Sequence, residues 1–141
     1  MSLEFFNRLS GTLAIELTEP TEEIAPNLAN RRATATAAIT GVTFALEVFE
    51  DERFRDLTVD EFDRVVLKVP VLNLRGLGDP VEHRASNGKW FTVRDLAAAI
   101  AETERSTRGQ SRWYGGVDVH HIYFEGIHEG DAGVWEIHWG S

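Results

Sequence analysis

The stretch Tyr123-Phe124-Glu125-Gly126-Ile127-His128-Glu129-Gly130-Asp131-Ala132-Gly133-Val134-Trp135-Glu136-Ile137-His138-Trp139 decides the fold. Two runs rich in aromatic and β-branched residues flank a Gly-Asp-Ala-Gly turn, which predicts a β-hairpin. The first run reaches back to Gly116 and the second ends at Trp139. Alternate residues of a strand share a face. His121, Tyr123 and Glu125 therefore share one face, and His120, Ile122 and Phe124 share the other. Setting Glu125 opposite Glu136 and Tyr123 opposite His138 separates polar from apolar cleanly. Trp135, Ile137 and Trp139 then join Ile122 and Phe124, and a polar patch of His121, Tyr123, Glu125, Glu136 and His138 results.

Upstream of this hairpin lies the strongest helix signal. Thr92 followed by Asp95 is a capping box, and Val93, Leu96, Ala97, Ile100 and Ala101 recur at helical spacing. One main helix over about 92–106 is expected. Arg105, Arg108 and Arg112 lie at or beyond its negative end, where they complement the dipole or hold an anion. Asn87-Gly88 is a turn signal that joins a strand near 81–85 to one near 89–91.

Further back, Thr58 and Glu61 form a second capping box for a short helix through about Val66, with Val59, Phe62 and Val66 inward. Leu67 to Leu74 reads as one strand, placed at an edge by Pro70. Gly76 to Pro80 reads as a loop. Thr12–Leu17 alternates as a half-buried strand with Leu13, Ile15 and Leu17 on one face. Residues 2–9 form a short amphipathic helix with Leu3, Phe6 and Leu9 inward.

Arg32–Ile39 and Val42–Phe49 both alternate around Thr40-Gly41, which predicts a hairpin with Ile39 opposite Val42 and Ala37 opposite Phe44. The competing reading is a helix from Pro26 to Ile39 that ends before Gly41. The sum is an α+β domain over 1–141. Its sheet is mostly antiparallel and curved, built from hairpins with about seven strands, with the main helix on its concave face.

Composition bounds the function. The chain has 141 residues with a formal charge of −9. That size suits one domain, and the acidic balance disfavours phosphate backbones and anionic membranes. Cysteine is absent, which excludes disulfides and thiolate chemistry and suits a cytoplasmic setting. No apolar run is long enough to span a bilayer, and no leader pattern is visible. There is no P-loop, no Gly-x-Gly-x-x-Gly, no Gly-x-Ser-x-Gly and no His-Glu-x-x-His.

Candidate chemistry therefore rests on clusters. Glu125 and Glu136, opposed across strands, repel each other. A divalent metal held with His121 and His138 relieves this, and so does an acid–base pair aided by Tyr123. A solvated face bridged by Arg105, Arg108 or Arg112 relieves it too. Trp113 and Tyr114, beside two glycines, with Arg112 and Trp90, make a candidate binding wall, or else plug the core edge. Three functions follow. The first is a binding domain with a pocket for a small molecule or partner peptide between sheet and helix. The second is a small enzyme using the hairpin cluster for metal-assisted hydrolysis or acid–base chemistry. The third is a structural or immunity-type interaction module. No motif requires a cofactor, a divalent metal being the one candidate, and dimerisation through a free sheet edge is open.

Overall fold

A computed structural model describes residues 2–18, 38–113 and 116–141 of the chain. Helix α1 (Ser2–Asn7) leads into β1 (Ser10–Leu17). Phe6 and Leu9 are buried, as their spacing requires, and Leu13 is buried from β1. Strand β2 (Ile39–Glu50) pairs with β1, setting Leu13 opposite Phe44 and Ile15 opposite Val42. Thr40-Gly41 is thus strand and not turn, and the expected Ile39–Val42 pairing does not form. The apolar face of β1 is the better partner for Val42, Phe44 and Leu46. Residues 32–37 of the expected hairpin, and 26–37 of the competing helix, lie outside the described residues. The tight turn sits ten residues on, at Asp51-Glu52, both at positive φ (54° and 63°). It folds β3 (Arg53–Asp56) back onto β2, with Glu50 opposite Arg53. Two consecutive left-handed residues match the twist of a hairpin, although neither is the Gly or Asn that announces such a turn.

The Thr58 capping box forms as read, with both reciprocal bonds present, but α2 (Val59–Phe62) is a single turn. The chain then leaves as β4 (Val65–Leu67). Val66 is buried from that strand, and Val59 is 69% exposed, contrary to the inward face expected of it. The predicted single edge strand Leu67–Leu74 is also two pieces. Pro70 falls in the break, where its carbonyl accepts Ala85 N–H at 2.8 Å. Strand β5 (Val71–Arg75) follows, inside the sheet, and pairs with β6 (Val81–Arg84). Asn87 makes the expected turn by accepting the Lys89 and Trp90 amides. It does not close a hairpin, because β7 (Phe91–Thr92) pairs with β4.

Helix α3 (Val93–Thr107) starts at Thr92 with both capping-box bonds made. Val93, Leu96 and Ile100 are fully buried. A 3-10 turn (Arg108–Gln110) ends it. Strands β8 (Arg112–Trp113) and β9 (Gly116–Val117) form a separate pair. The expected strand Gly116–Ile127 is therefore interrupted, and β10 (Tyr123–Glu129) begins after a loop. Strand β11 (Val134–Gly140) completes the hairpin.

The large sheet runs β3-β2-β1-β10-β11-β5-β6 and is antiparallel except where β11 lies parallel to β5. The architecture is α+β, as the sequence implies. The C-terminal hairpin fills the middle, between the N-terminal β1–β3 meander and the β5–β6 pair. The helices α1 and α3 cover the inner face. Phe6 and Phe44 each meet Phe124 edge-on at 5.4 Å, and Phe44 meets Trp139 at 5.6 Å. Such T-shaped contacts add about 0.5–1.5 kcal/mol each beyond area burial. Among the described residues, no helix is long and apolar enough to cross a membrane.

The α2 cap also carries charge. Glu61 accepts from Arg55 at 2.8 and 3.0 Å and from the Thr58 amide at 2.9 Å. The Arg55 hydrogen bond, then the Thr58 bond, hold its carboxyl down at about 2. A carboxylate lowered on folding stabilises above its unfolded pKa and loses that contribution as pH falls through the folded one. The stability advantage of the parent over Glu61→Gln should therefore be full above about pH 4.5 and vanish toward pH 2. Urea melts of both proteins across that range check this.

Candidate functional site

The bulge in β10 decides the geometry of the expected polar patch. Tyr123 faces Gly140 and Phe124 faces Trp139, yet Ile127 faces Ile137 and His128 faces Glu136. Glu125 and Gly126 together oppose the single residue His138. Gly126 sits at φ 105°, a conformation that L side chains rarely adopt. The bulge brings Ile127 inward beside Phe124, so the simple two-residue alternation breaks here.

Glu125 consequently does not oppose Glu136, and the predicted carboxylate conflict is absent. Tyr123, Glu125, Glu136 and His138 do share the outer face of the sheet. Glu136 is bonded to Arg75 at 2.8 Å, and that bond holds its carboxyl below the usual range. The bridging arginine is thus Arg75, from the parallel neighbour β5, while Arg105 and Arg108 pair with Glu102 and Glu104. The rings of His128 and His138 lie 4.9 Å apart. Tyr123 is 52% exposed. His121 is elsewhere, in the loop before β10, with Nδ1 2.6 Å from Asp118 Oδ2. Burial pushes the Asp118 carboxyl up, but bonds from His120 N–H, His121 N–H and the His121 ring outweigh it and hold it low. Among the described residues, no three His, Asp or Glu side chains converge as metal ligands.

Of the candidate binding wall, Tyr114 lies outside the described residues, and so do the Arg112 and Trp113 side chains. Trp90 is 38% exposed beside the Asn87 turn.

Two clusters have no counterpart in the sequence reading. The first is a buried ion pair at the end of α3. Glu104 and Arg108 are both 0% exposed, with Arg108 Nε 2.5 Å from Glu104 Oε1. Trp139 Nε1–H donates to the other carboxylate oxygen at 3.2 Å. Arg108 Nη1 donates to the carbonyls of Asp118 and His121 at 3.2 and 2.7 Å. Its guanidinium lies 5.4 Å from the Trp139 ring centroid. Nη2 is the buried side-chain nitrogen left without a partner among the described residues. Gly76 lies directly against the Glu104 carboxylate, with no space for a side chain. The expected helix-dipole role falls to Arg105, which pairs with Glu102 on the surface.

Removing one partner of such a pair strands the other charge in a low dielectric. Arg108→Met and Glu104→Leu should each destabilise the fold by about 3–5 kcal/mol. The double variant should lose less than the sum of the two. Chemical denaturation of the four proteins checks this cycle.

The second cluster lines a cleft of about 260 Å³ between β6 and α3. His83 and Arg84 come from β6, Ser86 and Phe91 from the following segment, and Asp95, Ala98, Ala99 and Glu102 from α3. The helical members recur at i, i+3, i+4 and i+7, which is one face. His83 Nε2 and Thr103 Oγ1, 2.7 Å apart, tie strand to helix. Burial pushes the His83 imidazole pKa down, against the opposing charge of Glu102. Arg105 holds the Glu102 carboxyl low. The Ser86 hydroxyl donates to Asp95 at 3.5 Å.

Comparison with known proteins finds no matching family model, no matching curated protein and no matching solved structure.

Proposed function

We propose that the protein is a binding domain whose cleft between β6 and α3 receives a small molecule or a short partner segment. The observation that carries this is the cleft itself. It lies between sheet and helix and is lined by the apolar Phe91, Ala98 and Ala99 together with His83, Arg84, Ser86, Asp95 and Glu102. Concave clefts with convergent polar groups are the default candidates for ligand sites, and five of the eight side chains that line this one are polar. The acidic balance argues against a nucleic-acid partner, and the lack of cysteine suits a cytoplasmic setting. The enzymatic reading has less support, because it needs Glu125 and Glu136 as a coupled acid and base.

The test is amide-shift mapping by ¹H–¹⁵N NMR against a library of small molecules and tripeptides. Binders should perturb residues 82–86 and 91–103, and Ala98→Trp, which fills the cleft, should abolish the response without lowering the melting temperature. Binders that instead cluster around Tyr123 and His138 would transfer the site to the outer sheet face.

A second reading, a protein-interaction module, is favoured by Phe49 and Phe54. They are 58% and 57% exposed and meet edge-on, 4.9 Å apart, across the β2–β3 hairpin. Glu47 and Asp56 oppose each other on the same strand face as the two rings, and Asp51 and Glu52 form the adjoining turn, so a basic partner with an apolar contact fits best. Phe49→Ser/Phe54→Ser should abolish binding of such a partner, and parent binding should weaken with salt. Biosensor measurements at two ionic strengths read both effects.

A further inference from the structure

Thr103 has one hydroxyl proton, and it is donated to the Ala99 carbonyl at 2.8 Å. Its oxygen must then accept from His83, so the neutral imidazole carries its proton on Nε2. Nδ1 is left with a lone pair. It has no hydrogen-bond partner among the described residues, and it is not among the side-chain atoms sealed from solvent without one. The ring is held through Nε2, and His83 lines the cleft.

The charges around it have a sign. From its own strand, Arg84 lines the cleft but is paired with Glu82 at 3.3 Å. From α3, Glu102 is paired with Arg105. Asp95 accepts from the Thr92 amide and the Ser86 hydroxyl and has no cationic partner among the described residues. From β5, the residue opposite His83 is the uncharged Leu72. The lining and its partners thus carry one excess negative charge.

We propose that the cleft takes a ligand or side chain bearing a planar or primary cationic N–H group, an amidinium, guanidinium or ammonium, with His83 Nδ1 as its hydrogen-bond acceptor. Asp95 and Glu102 supply the attraction, and Phe91, Ala98 and Ala99 of the lining receive the apolar part. This rests on the cleft being the binding site. It adds the ligand's charge and the atom that reads it.

Three probes of one shape test it: benzamidine (cationic), benzamide (neutral) and benzoate (anionic). Each is titrated into ¹⁵N-labelled protein while the His83 ring nitrogens and backbone amides are followed. Benzamidine should shift His83 Nδ1 and the amides of 82–86 and 95–102, and bind at least tenfold tighter than the other two. Its affinity should fall as pH drops through the His83 titration, since a protonated ring has no lone pair and repels a cation. Bound benzamidine should move that titration to lower pH. His83→Gln, checked for folding by its melting curve, should weaken benzamidine by about tenfold, the worth of one charge-assisted hydrogen bond. Glu102→Gln, on the surface, should weaken benzamidine severalfold and leave benzamide unchanged.

Benzamide or benzoate binding as tightly at the same residues would overturn the cationic class while leaving the cleft as the site. Benzamidine binding that survives His83→Gln would overturn the acceptor role. No response at residues 82–103 to any probe at millimolar concentration would overturn both this proposal and the cleft reading.

Discussion

The Glu104–Arg108 pair ties the end of α3 to three other parts of the molecule. Through Trp139 it touches β11, through Gly76 the loop after β5, and through two carbonyls the loop that delivers β10. Two ions buried with no exposure carry a large desolvation cost, which only good geometry and further hydrogen bonds offset. The surroundings supply most of these, and the indole face takes up part of the guanidinium charge. A buried pair of this kind is weak evidence for stability. It does require the end of α3, the middle of the sheet and the 118–122 loop to arrive in one arrangement.

Local chemistry was legible where it closes over a few residues. Thr58 with Glu61 and Thr92 with Asp95 announce their helix starts, and both boxes form. The α1 and β1 faces follow from periodicity alone. What could not be read depends on partners distant in sequence. Thr40-Gly41 has the composition of a turn, but β1 recruits those residues into a strand. Asp51-Glu52 has no Gly or Asn, yet the hairpin twist places both in the left-handed region. The bulge at Glu125-Gly126 shifts the C-terminal register, and a lone glycine in an alternating run is too weak a signal to locate one.

The helix carried a signal that charge obscured. The stripe Val93, Leu96, Ile100 continues at the same spacing to Glu104 and then Arg108. Hydrophobicity stops at Ala101, but the geometry of the face does not, and burial follows the geometry. A second face, Asp95, Ala98, Ala99 and Glu102, lines the cleft. Two alanines between two acids on one side of a helix are compatible with an exposed surface, and only the position of β6 makes them a wall. His83 was invisible for the same reason, since its partner Thr103 lies across a tertiary contact.

The place of the C-terminal hairpin between the N-terminal meander and β5–β6 has a consequence for how the chain acquires its fold. Asn7 exchanges hydrogen bonds with the backbone of Ile127, 120 residues away in sequence. Pairings of such separation demand loop closure before they return any stabilisation, so topologies of this kind fold slowly. During synthesis, β1 and the β5–β6 pair each emerge with one edge waiting for strands not yet made. Until residues 123–140 clear the ribosome, those edges are open templates for intermolecular pairing. The interval between translation of β1 and translation of β10 is therefore the period in which the nascent chain's strand edges are most open to pairing with other chains.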